Sequence, residues 1–122
     1  MLDLSKLSAL ELPKNEIEVD VLGVKQKITV TAYDDGVSLD IADIADTHPE
    51  SQERRVRKML LCECAKLSEN EAEKLIRYDR EACYAIITEI FNLRQKFVDA
   101  QKAEREKAKK NSVAETKMDT QV

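Results

Sequence analysis

The chain has 122 residues, which is enough for one domain with a short appendage. Charged residues make up 36% of it and the formal net charge is −4, whereas proteins that bind nucleic acid without sequence preference normally carry a basic excess. No apolar run approaches the roughly 20 residues that a membrane span needs, so the composition also argues against a membrane protein.

The thiols and the first residues indicate where the protein works. Cys62, Cys64 and Cys83 cannot all pair within one chain, and all three lie in stretches with helical patterns. Residues 1–13 contain no basic run followed by a long apolar stretch, as a secretory signal would. Reduced thiols are the simplest account of the cysteines, so we expect a cytoplasmic protein.

Residues 1–15 are interpreted as an N-terminal arm, in which Pro13 ends any helical turn. The leucines of the arm recur at spacings that suit one or two such turns. Two interpretations stay open: the arm folds against the body, or it docks on a partner or a sister subunit. The candidate contact residues are Leu2, Leu4, Leu7 and Leu10.

Residues 16–33 have the alternating pattern of two half-buried β-strands joined by a connector that contains Gly23, which predicts a β-hairpin. A two-stranded hairpin is marginally stable alone in water, so we expect it to pack on helices or to pair through its edge with a second subunit. The residues expected on its inner face are Ile17, Val19, Val21, Ile28, Val30 and Ala32.

Residues 38–100 carry helical patterns. After the turn signal at 34–36, Ser38 is the expected cap of a short acidic helix that ends before His48 and Pro49. This acidic stretch lacks the ligand spacing of a calcium loop. A clearer helix starts near Glu50, and its core stripe comprises Val56, Met59, Leu60, Cys64 and Leu67.

Two further helices follow. Ser68 and Glu71 form a capping-box pattern, and Asp79 is the expected N-cap of the last helix. Residues 101–122 contain six basic and four acidic side chains, with few large apolar ones, so we expect a frayed helix that gives way to a disordered tail from about residue 111. The apolar stripe of the last helix comprises Cys83, Ile86, Ile87, Ile90, Phe91, Phe97 and Val98.

The sequence contains no constellation typical of catalysis or of a resident cofactor. His48 is the only histidine and has no Gly-rich nucleophile turn nearby. Cys62 and Cys64 are two positions apart and point in different directions on a helix, so they do not make a zinc site between them. Cys64 and Cys83 are better explained as small core residues. We therefore expect a protein that is not an enzyme and binds no metal or cofactor.

A basic cluster on the second helix, formed by Arg54, Arg55, Arg57 and Lys58, has two interpretations. In the first, the cluster contacts a partner, for example the phosphates of DNA if the protein is a small DNA-binding regulator or an antitoxin-like protein. Alternatively, it is a solvated face that pairs with Glu50, Glu53 and the acidic stretch 34–46. The acidic net charge disfavours DNA, so nucleic acid is the less favoured partner.

The order of arm, hairpin, short helices and charged tail resembles the tail assembly chaperones of long-tailed, lambda-like bacteriophages and prophages. The segments that carry this resemblance are LSALELPKNEIEVDVLGVKQKITVTAYDDG, HPESQERRVRKMLLCECAKLSENEAEKLIRYD and REACYAIITEIFNLRQKF. The resemblance covers roughly residues 1–100. It implies a protein that binds the tape-measure and tail-tube proteins in the host cytoplasm during tail assembly.

One detail of the tail agrees with this resemblance. Such chaperones are commonly made in two forms, the longer one through a ribosomal −1 frameshift late in the short reading frame. A slippery message run of the type A-AAA-AAC encodes Lys-Asn after a codon that ends in A. Lys109, Lys110 and Asn111 are compatible with that run and lie in the expected structureless region.

These patterns together predict an α+β fold that is mainly helical. A folded body, residues 1–100, would consist of the arm 1–15, the hairpin 16–33 and three to four helices within 38–100. A charged segment, residues 101–122, would follow it. The expected function is that of a tail assembly chaperone, and the alternative is the DNA-binding regulator.

Overall fold

The computed structural model describes residues 2–4, 7 and 10–120, with the backbone alone from residue 110 onward. It has the predicted α+β, mainly helical architecture, with an N-terminal hairpin followed by four helices. The elements are β1 (Lys14–Val21), β2 (Val24–Thr31), α1 (Asp35–Thr47), α2 (Gln52–Cys64), α3 (Glu69–Tyr78) and α4 (Arg80–Thr120).

The hairpin spans residues 14–31, so both of its ends lie two residues before the predicted bounds of 16 and 33. Its strands are antiparallel, and Ile17 lies opposite Ile28. The turn consists of Leu22 and Gly23, which have φ angles of 50° and 88°, so the connector contains Gly23, as predicted. Glycine adopts this left-handed backbone without a steric cost, and the Asp20 carboxylate accepts a hydrogen bond of 2.6 Å from the Gly23 N–H.

The inner face of the hairpin packs on α4, as expected for an element that is marginal alone. Val19, Val30 and Ala32 are buried, while Ile17 and Ile28 are half-buried against the same core. On the outer face, Lys25 pairs with Glu18 across the strands at 3.8 Å. The alternation in the sequence therefore predicts both faces correctly.

Helix α1 begins one turn earlier than predicted because Asp34, rather than Ser38, is its N-cap. The Asp34 Oδ1 atom accepts a hydrogen bond of 2.9 Å from the Val37 N–H. A carboxylate at this position also interacts favourably with the positive end of the helix dipole. Ser38 lies within the first turns of the helix instead.

Helices α2 and α3 are joined by a short loop in which the predicted capping box is present. The Ser68 Oγ atom accepts from the Glu71 N–H at 3.1 Å, and Glu71 Oε1 accepts from the Ser68 N–H at 3.0 Å. These hydrogen bonds lower the pKa of Glu71 from its ordinary value. Leu60, Leu61 and Cys64 are the buried residues of α2.

Helix α4 forms one wall of the core along its first five turns. Phe91, which was predicted in its core stripe, is 47% exposed because it lies at the border of that stripe, whereas the unpredicted Leu93 is buried. The buried residues of the helix are Ala82, Cys83, Ile86, Ile87, Ile90, Leu93 and Phe97.

The helix continues past Val98, as predicted, and its backbone remains helical as far as Thr120. The predicted change near residue 111 is not visible as an end of the helix. Fraying is a matter of stability in solution and stays a prediction, and residues 121 and 122 lie outside the described chain.

Arg94 connects α4 to the segment that follows the hairpin. Its guanidinium donates to the Tyr33 carbonyl at 3.1 Å and to Asp35 Oδ1 at 2.8 Å. The same group lies 4.8 Å from the centre of the Tyr33 ring and 5.6 Å from that of Phe97. The hydrogen bonds from Arg94 and then Gln101 lower the pKa of Asp35.

Asp79 holds two elements together. Its Oδ2 atom accepts from the Leu22 N–H in the hairpin turn at 2.9 Å, and its Oδ1 atom accepts from the Ala82 N–H in the first turn of α4 at 3.1 Å. One carboxylate therefore caps α4, as predicted, and also fixes the hairpin turn against the junction of α3 and α4.

We expect Asp79→Ala to lower the free energy of unfolding by about 1–2 kcal/mol, because both N–H groups lose their acceptor. Asp79→Asn keeps one acceptor oxygen and should cost less. Urea denaturation followed by circular dichroism measures the difference. Asp46→Ala is the matched control, because Asp46 is exposed on α1. An equal effect of Asp79→Ala and Asp46→Ala would contradict the double role of Asp79.

Candidate functional site

The N-terminal arm exposes three of its four predicted contact residues. Leu2, Leu4 and Leu7 are 80%, 55% and 61% exposed. The Leu7 N–H donates to the Leu4 carbonyl at 3.0 Å, and the Leu10 N–H donates to the Leu7 carbonyl at 3.3 Å. Leu10 packs against the core together with Leu12 and so anchors the arm to the body. The arm thus combines an anchored end with exposed leucines.

The basic cluster of α2 faces a carboxylate that the sequence analysis did not connect with it. Glu73, on α3, forms ion pairs with Arg54, with Lys58 at 3.7 Å and with Arg77 at 2.8 Å. Arg77 lies one turn from Glu73 on α3, whereas Arg54 and Lys58 reach Glu73 from α2 because the two helices lie side by side in the folded chain. The cluster therefore contributes to the contact between the two helices.

The other two members of the cluster, Arg57 and Arg55, interact with side chains of α2 and of its N-cap residue. Arg57 pairs with Glu53 at 2.5 Å, as the sequence analysis expected for the solvated-face interpretation. The Arg55 Nε atom donates to the Ser51 Oγ atom at 2.9 Å. All four basic residues of the cluster thus have partners within the chain, which leaves less of their hydrogen-bonding capacity for a phosphate or a protein partner.

An open apolar groove of about 610 Å³ lies between the inner face of the hairpin and α3. Its volume is within the range of about 300–1,000 Å³ that is usual for ligand-binding clefts. We call it the hairpin groove. Its apolar walls include Val19, Val21, Ile28, Leu67, Leu75 and Ile86.

Exposed apolar side chains extend the hairpin groove at one end. Leu22 and Tyr78 line the groove, and they are 75% and 72% exposed. Val24, the first residue of β2, is also largely exposed. The bond between the Leu22 N–H and Asp79 brings this end of the hairpin next to the end of α3. Contiguous apolar surface of this kind commonly marks an interaction site.

A second groove, of about 560 Å³, lies between α1, α2 and α4. We call it the aromatic groove, because Tyr84 and Phe91 line it; their side chains are 64% and 47% exposed. Phe91 also makes an edge-to-face contact with Tyr33, with the ring centres 6.0 Å apart. Glu53 and Arg57, which form an ion pair, lie at the same groove.

Sequence reasoning identified the arm but missed both grooves. The sequence does contain a pattern for the wall of the hairpin groove that α3 forms. Its residues recur at three- and four-residue steps and so share one helix face: Glu71, Lys74, Leu75 and Tyr78. Nothing in the sequence indicates that the hairpin stands opposite this face. Only the tertiary arrangement creates the space between them.

The cysteines and the histidine do not form a site in the described chain. Cys64 and Cys83 are buried, which confirms them as small core residues, and Cys62 is half-buried. His48 is exposed at the C-terminus of α1, where its Nδ1 atom lies 2.9 Å from Thr47 Oγ1. Within the described residues, no group of three or more His, Cys, Asp or Glu residues is placed to hold a metal ion.

The last predicted positions, Lys109, Lys110 and Asn111, lie on the extension of α4. Lys109 is exposed, and the side chains of the other two lie outside the described part of the chain. None of the described helices is long and apolar enough to cross a membrane. The cytoplasmic location stays a prediction.

Comparison with known proteins identifies no relative. No family model matches the sequence, and no curated protein or solved structure is significantly similar to it.

The three thiols should differ sharply in reactivity. Burial raises the pKa of all three, that of Cys64 to about 11, so at pH 8 each has less reactive thiolate than an ordinary cysteine. Because only Cys62 is partly exposed, we expect one slow reaction with Ellman's reagent in the folded protein and three reactions in urea. The slow rate should rise with pH. Cys62→Ser should abolish it, and a native reaction that persists in that variant would contradict the assignment.

Proposed function

We propose that this protein is a phage tail assembly chaperone that binds the tape-measure protein and, in a longer form, recruits the tail-tube protein. The observation that carries the proposal is the concentration of exposed apolar side chains in a chain whose surface is otherwise strongly charged. In the described residues these side chains gather on the arm, at the hairpin groove and at the aromatic groove, with Leu39 on α1 as the exception.

The physical requirement of such a chaperone supports the proposal. A tape-measure protein has long apolar helices that would aggregate before the tube forms around them. Several separate apolar contact surfaces can cover such helices, while the acidic net charge of −4 keeps the complex soluble. Separate and individually weak contacts also allow the partner to be released as the tube polymerises.

The alternative, a DNA-binding regulator, has less support. It depends on the basic cluster of α2, but Arg54 and Lys58 pair with Glu73 and Arg57 pairs with Glu53. A phosphate would have to compete with these carboxylates. A gel shift with operon DNA that shows a salt-sensitive complex would favour the regulator over the chaperone.

Co-expression with the tape-measure and tail-tube proteins of the same genome tests the chaperone function. We expect the tape-measure protein to become soluble and to co-purify with the tagged chain. Replacing Leu2, Leu4 and Leu7 by Ser should weaken the complex by about tenfold or more, because the burial of even one of these leucines in the complex would contribute about 1.5–3 kcal/mol. Leu39→Ser is the control, since Leu39 is exposed on α1 and lines neither of the two grooves. A failure to associate with either tail protein would refute the proposal.

The existence of a longer, frameshifted form is tested on the messenger RNA. We expect codons 109–111 to contain a slippery run that leads into an overlapping −1 frame, and expression to yield two products with a common N-terminal sequence. Silent changes of the lysine codons from AAA to AAG should remove only the longer product, because they leave Lys109, Lys110 and Asn111 unchanged. Mass spectrometry that detects a single product from the natural message would contradict the frameshift.

A further inference from the structure

The hairpin is a two-stranded sheet, so each of its strands has an outer edge. The Ala32 N–H donates to the Pro13 carbonyl at 2.8 Å, which makes these opposite residues a hydrogen-bonded pair. Bonded and non-bonded pairs alternate along an antiparallel ladder, so Glu18 and Lys27, which form a non-bonded pair, direct their backbone N–H and C=O groups outward. Edges that present such groups are able to pair with a further strand.

Both edges are accessible in the part of the chain that the structure describes. Helix α4 packs on the inner face of the hairpin rather than on an edge. The hairpin groove is open beside β2 and has Lys27 in its lining. Within the described residues, no backbone group of another element bonds to the outward groups of either strand.

The charges on the outer face of the hairpin are separated by strand. Opposite charges already face each other within the hairpin, and Lys25 lies 3.8 Å from Glu18. One edge is therefore mainly acidic and the other is basic. The charged residues are Glu16, Glu18 and Asp20 on β1, with Lys14 at its start, and Lys25 and Lys27 on β2.

The two edges are complementary to each other between two copies of the chain. If the β2 edge of one copy pairs antiparallel with the β1 edge of another, the register of the hairpin itself can be repeated. Lys27 then lies opposite the second copy's Glu18, with the Cβ atoms about 5 Å apart. Like charges lie two strands apart, at roughly 10 Å, where salt screens them more strongly.

The other ways of joining two hairpins lack this attraction. Two β1 edges that overlap along their length bring acidic side chains opposite one another, which is destabilising. Two β2 edges gain no pair of opposite charges, because the charged side chains of β2 are both lysines. Glu71 and Asp79 line the groove on the inner side of the sheet, whereas the pairs between copies would form on its outer face.

We infer that copies of this chain associate head to tail, with the β2 edge of one hairpin paired to the β1 edge of the next and Lys27 beside the neighbouring copy's Glu18. Two different edges meet in this contact, so each added copy leaves one edge of each kind at the ends of the assembly. The assembly therefore grows with protein concentration. The inference does not rest on the proposed function.

An exchange of charge between two variants tests the inference with the full-length chain. Sedimentation velocity at low salt measures the mean mass at increasing protein concentration. We expect Glu18→Lys and Lys27→Glu each to weaken the association of the wild-type chain by roughly fivefold or more, because like charges then face each other between copies. An equimolar mixture of the two variants should associate to within about twofold of the wild type, because each edge meets the opposite charge again.

The mixture separates the contact between copies from effects within one hairpin. Each substitution also places like charges opposite each other in its own hairpin, and mixing cannot relieve that repulsion. Lys96→Glu is the matched control for charge, because Lys96 is exposed on α4, and it should associate like the wild type. Unfolding curves show whether each variant is folded under the conditions of the experiment.

A second pair of variants tests the backbone contact. Thr29 lies opposite Glu16 in a non-bonded pair, so its N–H points outward from β2. Thr29→Pro removes this N–H and should weaken association by roughly fivefold or more, since proline cannot donate to a further strand. Thr29→Ala keeps the N–H and should associate like the wild type.

Several results would overturn the inference. These are a wild-type chain that stays monomeric, an association that stops at a dimer, a mixture that associates no better than its components, or equal effects of Thr29→Pro and Thr29→Ala. A tape-measure complex that Thr29→Pro disrupts, although the free chain is monomeric, would assign the edge to that partner instead. Head-to-tail association without any tape-measure complex would refute the proposed function alone.

Discussion

The structure depends on the burial of one face of a two-stranded hairpin. Such a hairpin is marginal in water unless its apolar face is covered, and α4 covers it here through the buried Val19 and Val30. Helix α4 does not cover the whole face. Val21 and Ile28 remain half-buried, and the space between them and α3 is the hairpin groove. The same contact that stabilises the fold thus leaves an apolar surface beside it.

Polar interactions fix the elements around this core. Asp79 connects the hairpin turn to the start of α4, Arg94 connects α4 to the segment after the hairpin, and Glu73 connects α3 to α2. Each connection joins groups that are distant in sequence but adjacent in the fold. Charges that are used in this way are less available for partners, so the exposed apolar surfaces are the stronger candidates for recognition.

The sequence predicted burial and helix capping correctly where they depend on neighbouring residues. The alternation of Val19 and Val30, the capping box of Ser68 and the cap at Asp79 all follow from spacing within one element. The error at Ser38 arose because two acceptors, Asp34 and Ser38, compete within one turn for the same role. The interpretation of the basic cluster was incomplete, because Glu73 reaches it from another helix.

The sequence by itself determined the fold class, the faces of the hairpin and the burial of Cys64 and Cys83, because periodicity and capping act over a few residues. Tertiary structure alone decided where the grooves lie and which carboxylate of α3 faces the basic cluster. These properties depend on distances between elements, such as that between the hairpin and α3, which no local pattern encodes. The arm was visible in the sequence, whereas the hairpin groove exists only in the folded chain.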